Sequence, residues 1–189
     1  MVEELKKLDF KILGVITNNY VVPSFNNIPI ERIITYRLED TKKMVLLDIS
    51  DTNNLSTKNN SKLQLAKALN DKYICLYDFT KGLNNKELMY YSRLFRKITE
   101  KYGKKIMLFS KDINNLINMC DKIAIYDKKI IYTTDNMFDD KLYNYIDMPN
   151  IVKFIKLANK KGAGLDFTKD LNELIKDIYR RLNAGKDCI

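Results

Sequence analysis

The chain has 189 residues, with 33 Lys and Arg against 24 Asp and Glu for a formal charge of +9, no His, no Trp and three Cys. Without His there is no His general base, no Ser-His or Cys-His nucleophile pair and no His-ligated metal, so any chemistry falls to carboxylate, Lys, Tyr, Ser/Thr or backbone. The length fits one domain with a small appendage and suffices to bury roughly 70% of the unfolded surface, while 46% hydrophobic and 30% charged residues exclude a disordered tail and a membrane span.

Cys75, Cys120 and Cys188 are odd in number and in no CxxC spacing, which argues against a disulfide scaffold or zinc ribbon and for a reducing compartment. The first ten residues lack a secretory apolar core, and no run of about 18 apolar residues occurs. The expectation is a cytoplasmic protein, peripheral at the inner face of a membrane only through a partner.

In chain order, Lys11-Ile-Leu-Gly-Val-Ile-Thr17 reads as a buried strand that stops at the polar turn 18–27. Residues 28–38 read as a short helix starting near Pro29, and 43–49 as a second strand. A polar loop at 51–57 offers N-caps for a helix over 58–69. Tyr73-Ile-Cys-Leu-Tyr77 is a strand ending at Asp78, and Leu88, Tyr91, Leu94, Phe95, Ile98 and Tyr102 form the apolar stripe of a helix over 84–102 that Gly103 closes. A strand at 105–109, a helix at 112–119 and a hairpin of 122–126 with 129–133 follow. Alternation of this kind predicts an α/β fold, a mainly parallel sheet with helices on both faces. From 135 onward the pattern turns helical, with helices expected at 136–146, 149–161 and 168–182, the last with Thr168 as N-cap and Leu171, Leu174, Ile175 and Ile178 inward. The expected division is 1–134 as the α/β domain and 135–189 as a helical appendage.

In an open parallel sheet the loops after the strand C-termini carry function, here those following Thr17, Asp78 and Phe109. Read with 55–69, they resemble, in a degraded form, the ATP-binding subunit of ABC transporters. Leu55-Ser-Thr-Lys-Asn-Asn-Ser-Lys-Leu-Gln-Leu-Ala-Lys-Ala-Leu69 lies on the signature L-S-G-G-Q and its helix, with Thr57 and Lys58 in place of the glycines whose bare backbone approaches a phosphate. Tyr73-Ile-Cys-Leu-Tyr-Asp-Phe-Thr-Lys-Gly-Leu-Asn84 lies on the Walker B strand and D-loop. Asp78 falls at the catalytic carboxylate and Tyr77 where the family has its Mg²⁺ ligand, and a phenol cannot serve as that ligand.

Phe109-Ser-Lys-Asp112 takes the place of the S-H-D switch with Lys111 for the His, and Cys120-Asp-Lys-Ile-Ala-Ile-Tyr126 resembles the hairpin that follows. Upstream, residues 12–25 track the Walker A strand and loop; Asn19 and Ser24 match, Thr17, Tyr20 and Val22 replace glycines, and Pro23 replaces the lysine, so amide cradle and charge are lost together. Only 31 residues separate Ser24 from Leu55, so the family's helical subdomain is reduced. Residues 147–162 and 170–175 are similar to the tail of energy-coupling-factor importer ATPases, which pair through that region.

The resemblance implies a P-loop-NTPase-like fold, with Asp78 and Lys111 as catalytic positions and Asn19, Ser24 and Ser56 at nucleotide; it implies no metal ligand of the chain's own. ATP and Mg²⁺ are the cofactors it carries over, and neither is assured by the residues. Its partners would be an ABC ATPase paralogue or a second copy, and a membrane permease. Taken singly, Ser56 reads more simply as a helix N-cap, Asp78 as a loop carboxylate and Lys111 as a solvated lysine. Three readings stand: a catalytically degenerate subunit acting by assembly; a residual ATPase using Asp78; and a basic interaction or nucleic-acid protein. The last is not favoured, and it would need Lys58, Lys62 and Lys67 free on one face. The basic excess is concentrated in residues 51–110, with 12 basic against 5 acidic residues.

Overall fold

The fold was obtained as a computed structural model, which describes residues 1–34, 37–168 and 170–184. Its elements in chain order are α1 (Val2–Leu5), β1 (Ile12–Ile16), α2 (Ile30–Ile33), α3 (Leu38–Val45), α4 (Thr57–Ala68), β2 (Tyr73–Tyr77), α5 (Asn85–Tyr102), β3 (Lys105–Ser110), β4 (Lys122–Asp127), β5 (Lys129–Thr134), α6 (Asn150–Lys160) and α7 (Leu171–Ala184), with 3₁₀ turns at Ile113–Asn115 and Asp140–Asn144. The chain divides into two compact units, Met1–Thr133 and Thr134–Ile189. Among the described residues no helix is long and apolar enough to cross a membrane.

The first unit is the expected α/β fold, a five-stranded sheet in the order β2-β3-β1-β4-β5. β3 pairs in parallel with both β2 and β1, and β1 in parallel with β4; β5 returns from β4 through Lys128 at positive φ, a turn too short for anything but an antiparallel hairpin. Period-two alternation sorts the strand side chains. Leu13, Val15, Met107, Phe109, Ala124 and Tyr126 pack with Leu5 and Phe10 on the face covered by α1. On the other face Tyr91, Phe95 and Ile98 of α5 are buried. Gly14 lies in the central strand because a Cβ there would sit 2.5 Å from Ile123 Cδ1 and 2.9 Å from Cys120 Sγ.

Four local expectations are corrected. Residues 43–49 are not a strand: Leu38–Val45 is helical, and Leu46 ends it in the left-handed region at φ 51°. The tyrosine hydroxyls of α5 explain the choice, since Tyr90 donates to Met44 O and Tyr91 to Val45 O, satisfying carbonyls that a helix end leaves open. Within 28–38, the single-turn α2 covers Ile30–Ile33, Leu38 already begins α3, and 35–36 lie outside the described residues. Residues 112–119 form a 3₁₀ turn instead of a helix, with Leu116 and Cys120 tucked against Gly14. Likewise 136–146 keeps only one 3₁₀ turn. There Thr134, Asn136 and Asp139 side chains accept from Asn136, Phe138 and Lys141 N–H in succession, local bonds that compete with a helix.

The second unit has a small core of Ile155, Leu165 and Leu174. Leu171 and Ile175, expected inward, point to solvent, and Asp170, not Thr168, accepts from the first-turn amides of Asn172 and Glu173. Asp177 is the buried polar residue of this unit: its carboxylate accepts from Asp166 N–H at 2.8 Å and from Arg181 Nε at 3.1 Å.

α4 holds the first unit together through polar side chains. Gln64 donates to Tyr77 O and accepts from Tyr77 N–H, so one side-chain amide completes the open edge of β2 as a neighbouring strand would. Replacing it with Leu leaves both backbone groups unpaired, and Gln64→Leu is expected to lower unfolding free energy by about 2–4 kcal/mol in urea titrations, with Gln64→Glu, which keeps the acceptor, in between. The Asp166 amide, followed by Arg181, holds the Asp177 carboxyl below its usual range. Its contribution is therefore complete above the ordinary Asp value of about 3.9 and is lost as pH falls through the depressed value. Melts followed by circular dichroism should show α7 stability level down to about pH 4 and declining below it, with a shallower decline in Asp177→Asn.

Candidate functional site

β1, β2 and β3 run in parallel and end side by side, so the loops after Ile16, Tyr77 and Ser110 meet at one edge of the sheet. The ladder continues one residue past each strand end, with Thr17 N–H on Ser110 O at 3.1 Å and Asp78 N–H on Phe109 O at 2.9 Å. Asp78 then turns the chain at φ 49°, a left-handed geometry that a non-glycine residue adopts at a cost. Its carbonyl accepts from Lys81 N–H, and Gly82 at φ 82° completes the turn.

The Asp78 carboxylate does not face an open cleft. Tyr20 donates its hydroxyl to Asp78 Oδ1 at 2.5 Å. The Tyr20 ring lies 5.8 Å from the Tyr77 ring and 6.4 Å from Phe109, and Tyr77 stacks on Phe109 at 4.7 Å. Three aromatics thus close the sheet end beside the Asp78 carboxylate. Burial and the Asp78 bond push the Tyr20 phenol well above its usual range, so it stays a proton donor. Lys111 is exposed, and its backbone N–H stands at the Tyr20 hydroxyl.

The remaining sequence-derived positions lie apart from this cluster. Asn19 donates from its side chain to Asp127 Oδ1 at 3.2 Å, at the end of β4, while its own N–H rests on Thr17 Oγ1. Ser24 accepts from Asn26 N–H at 3.4 Å. Ser56 caps α4, accepting from Asn59 N–H at 3.2 Å. The structure therefore brings Asp78 and the Lys111 backbone together around Tyr20. Asn19 is engaged with Asp127 at the end of β4, and Ser24 and Ser56 in local hydrogen bonds.

The loop between β1 and α2 is held extended, without a phosphate cradle. Asn60 of α4 donates to Pro23 O at 2.7 Å and accepts from Phe25 N–H at 3.1 Å; Asn27 N–H goes to Thr52 O, and Leu55 N–H to Asn26 Oδ1. The amides of Asn19, Phe25, Asn26 and Asn27 are already bonded within the protein, and the loop does not lead directly from β1 into a helix N-terminus, since α2 starts only at Ile30. With Tyr77 stacked on Phe109 and Asp78 held by Tyr20, these residues in this arrangement do not fit a nucleoside triphosphate with Mg²⁺. No cluster of three or more Cys, Asp or Glu with metal-binding geometry occurs among the described residues.

The lysines of the signature-like helix are also committed. Lys58 pairs with Glu87 at 2.5 Å, Lys62 is buried against Asp48 at 2.7 Å, and Lys67 lies over the Phe25 ring. Both carboxyls are held below their usual range, chiefly by these lysine hydrogen bonds. The open basic face that a nucleic-acid reading of Lys58, Lys62 and Lys67 requires is absent. Sequence reasoning missed Tyr20, Asn60 and Gln64; the signal available was a large aromatic where a bare loop would need glycine, and two amides within an otherwise apolar helix face.

Tyr20→Phe deletes the donor and leaves the ring. It is expected to lower stability by about 1.5–3 kcal/mol, the range for a hydrogen bond to a charged group. A double-mutant cycle with Asp78→Ala should return most of that as coupling between the two sites.

No family model and no curated protein matches the chain. Among solved structures it is similar to the dimeric structure of MJ0796, a bacterial ABC transporter cassette, at 18% identity and a TM-score of 0.46, over 70% of this chain and 65% of that one. It is also similar to a dimeric post-hydrolysis state of the ATP-binding cassette MJ0796 bound to ADP and Pi, at 20% identity and a TM-score of 0.45, over 70% and 66%. The chain spans just under two thirds of the length of each.

Proposed function

We propose that the chain is a catalytically degenerate relative of the ATP-binding subunits of ABC transporters, nearest in its tail to the energy-coupling-factor type, and that it works by assembly. The observation that carries this reading is the Tyr20 hydroxyl on Asp78: the carboxylate that directly follows β2 is occupied by a side chain of the same protein. A subunit of this kind binds no ATP with Mg²⁺ in this conformation and turns none over. The order of motifs along residues 12–133 supports the ancestry, and the clamp of Asn60 on Pro23 and Phe25 supports the loss of the cradle.

Assembly draws support from the second unit. Leu171, Ile175, Tyr179 and Leu182 form an exposed apolar stripe on α7, and Phe154 and Leu157 are half exposed on α6. A unit with so small a core leaves such a stripe uncovered only at a cost in exposed apolar area, which suits pairing with a second copy, an ATPase paralogue or an importer subunit.

Isothermal titration with ATP and Mg²⁺ is expected to give no heat at nucleotide concentrations of several hundred micromolar, and light scattering to give a mass above the monomer that Leu171→Asp with Ile175→Asp returns to monomer. Robust Mg²⁺-dependent hydrolysis abolished by Asp78→Asn would overturn this reading in favour of a working ATPase.

A further inference from the structure

We propose that the solvent face of α5, together with the end of α3, docks directly on an anionic lipid bilayer. This surface is independent of the state of the nucleotide-like site. Eight of the twelve basic residues of 51–110 lie on two helices, in two groups. On α4, Lys58 and Lys62 are neutralised by Glu87 and Asp48, and Lys67 covers the Phe25 ring. On α5, Lys86, Arg93, Arg96, Lys97 and Lys101 are exposed, and none is in an ion pair among the described residues. At 3.6 residues per turn, positions 86, 89, 93, 96, 97 and 100 share one side of a helix about 27 Å long. Glu100 is the one acid in that set.

Apolar groups stand among these charges. Met89 is half exposed inside the stripe, and Leu46, similarly exposed, follows the α3 terminus that Tyr90 and Tyr91 hold against α5. Lys43 is exposed one turn earlier. Alongside, α3 and α5 border a groove of about 430 Å³ with Lys43, Met44, Tyr90, Leu94, Lys97 and Tyr102 in its walls, opposed by Asp40. Basic residues surrounding protruding apolar side chains complement a sheet of anionic headgroups over hydrocarbon. Nucleic acid suits the stripe less well: none of its positions 86, 89, 93, 96, 97 and 100 is aromatic, and the adjacent Tyr90 ring is packed edge-on against Tyr91 with its hydroxyl on Met44 O.

The test is co-sedimentation of the full chain with vesicles of phosphatidylcholine alone and of phosphatidylcholine mixed with phosphatidylglycerol. The expected result is binding to the mixed vesicles only, lost on raising salt as the Debye length shrinks. Each basic contact is worth about fivefold, so R93E/R96E/K97E should weaken binding by at least about a hundredfold. K153E/K160E/K161E makes the same change in net charge on the second unit and should leave binding within about twofold; thermal melts show that each variant is folded. M89S, which leaves the net charge unchanged, should weaken binding to the mixed vesicles by removing the apolar contact. Absence of binding to mixed vesicles at low salt overturns the proposal, as does equal loss in the control triple variant, which would reduce the effect to net charge. Displacement of the chain from mixed vesicles by a duplex or single-stranded oligonucleotide at equal charge concentration, through the same three residues, overturns it in favour of nucleic acid.

Discussion

The first unit depends on the polar side chains of α4. Lys58 reaches Glu87 at the start of α5, Asn60 holds the backbone of the loop after β1, Lys62 meets Asp48 beyond α3, and Gln64 completes the edge of β2. Four separate segments are tied to one twelve-residue helix. Ser61, Lys62 and Gln64 are buried among Leu63, Leu65 and Ala66, so α4 is enclosed on nearly every side and has no simple amphipathic face. Buried polar groups tolerate this only when each finds a partner, and no buried side-chain nitrogen or oxygen among the described residues lacks one. The arrangement also sets register: a helix docked through a side-chain amide to a single peptide unit cannot slide along the strand as an oily face could.

That docking decides the character of the candidate site. A loop that wraps an anion must offer free amides and conformational freedom, which glycine supplies. Here Val22 and Pro23 stiffen the loop, and Asn60 consumes the Pro23 carbonyl and the Phe25 amide. The chain is then led back so that Tyr20 reaches across β3 to Asp78, over Tyr77 and Phe109. Aromatic closure of the sheet end follows from this: α4 holds the loop at Pro23 and Phe25, and Tyr20 fills the space that a shorter residue would leave open. Asp78 in a left-handed conformation is compatible with this because its carboxylate and its backbone are both engaged.

The four parallel strands were legible in the sequence because each is a short, nearly continuous apolar run with turn residues on both sides, and β2 coincides with the reading residue for residue. The run 43–49 has the same appearance and is not a strand. What distinguishes it is tertiary: two hydroxyls forty-six positions away accept the role of closing a helix there. Helices were overread at 112–119 and 136–146, where Asp, Asn and Thr bond to neighbouring amides, a competition that apolar periodicity does not register. At the site, Asp78 and Lys111 follow β2 and β3, the strands after which the sequence reading set them. Tyr20 was read only as a missing glycine, since a pattern of losses does not say what the replacing side chain touches.

Charge is the other property that composition left unresolved. The lysines of α4 and the basic residues of α5 contribute equally to a formal +9, yet their electrostatic consequences differ. A lysine such as Lys62, buried with its ammonium on Asp48, projects little field beyond the pair, and its worth lies in packing and in holding a loop. The α5 residues have no such partner among the described residues and are exposed, so their fields add over one side of the helix. Helix geometry does the sorting: α4 is surrounded, so every polar residue on it had to be paired for the fold to close, whereas α5 buries only Tyr91, Phe95, Ile98 and Thr99 and is free to collect like charges on the opposite side. Like charges gathered on a stable helix oppose folding slightly, and their retention on the side facing away from the core is consistent with a surface that meets something anionic.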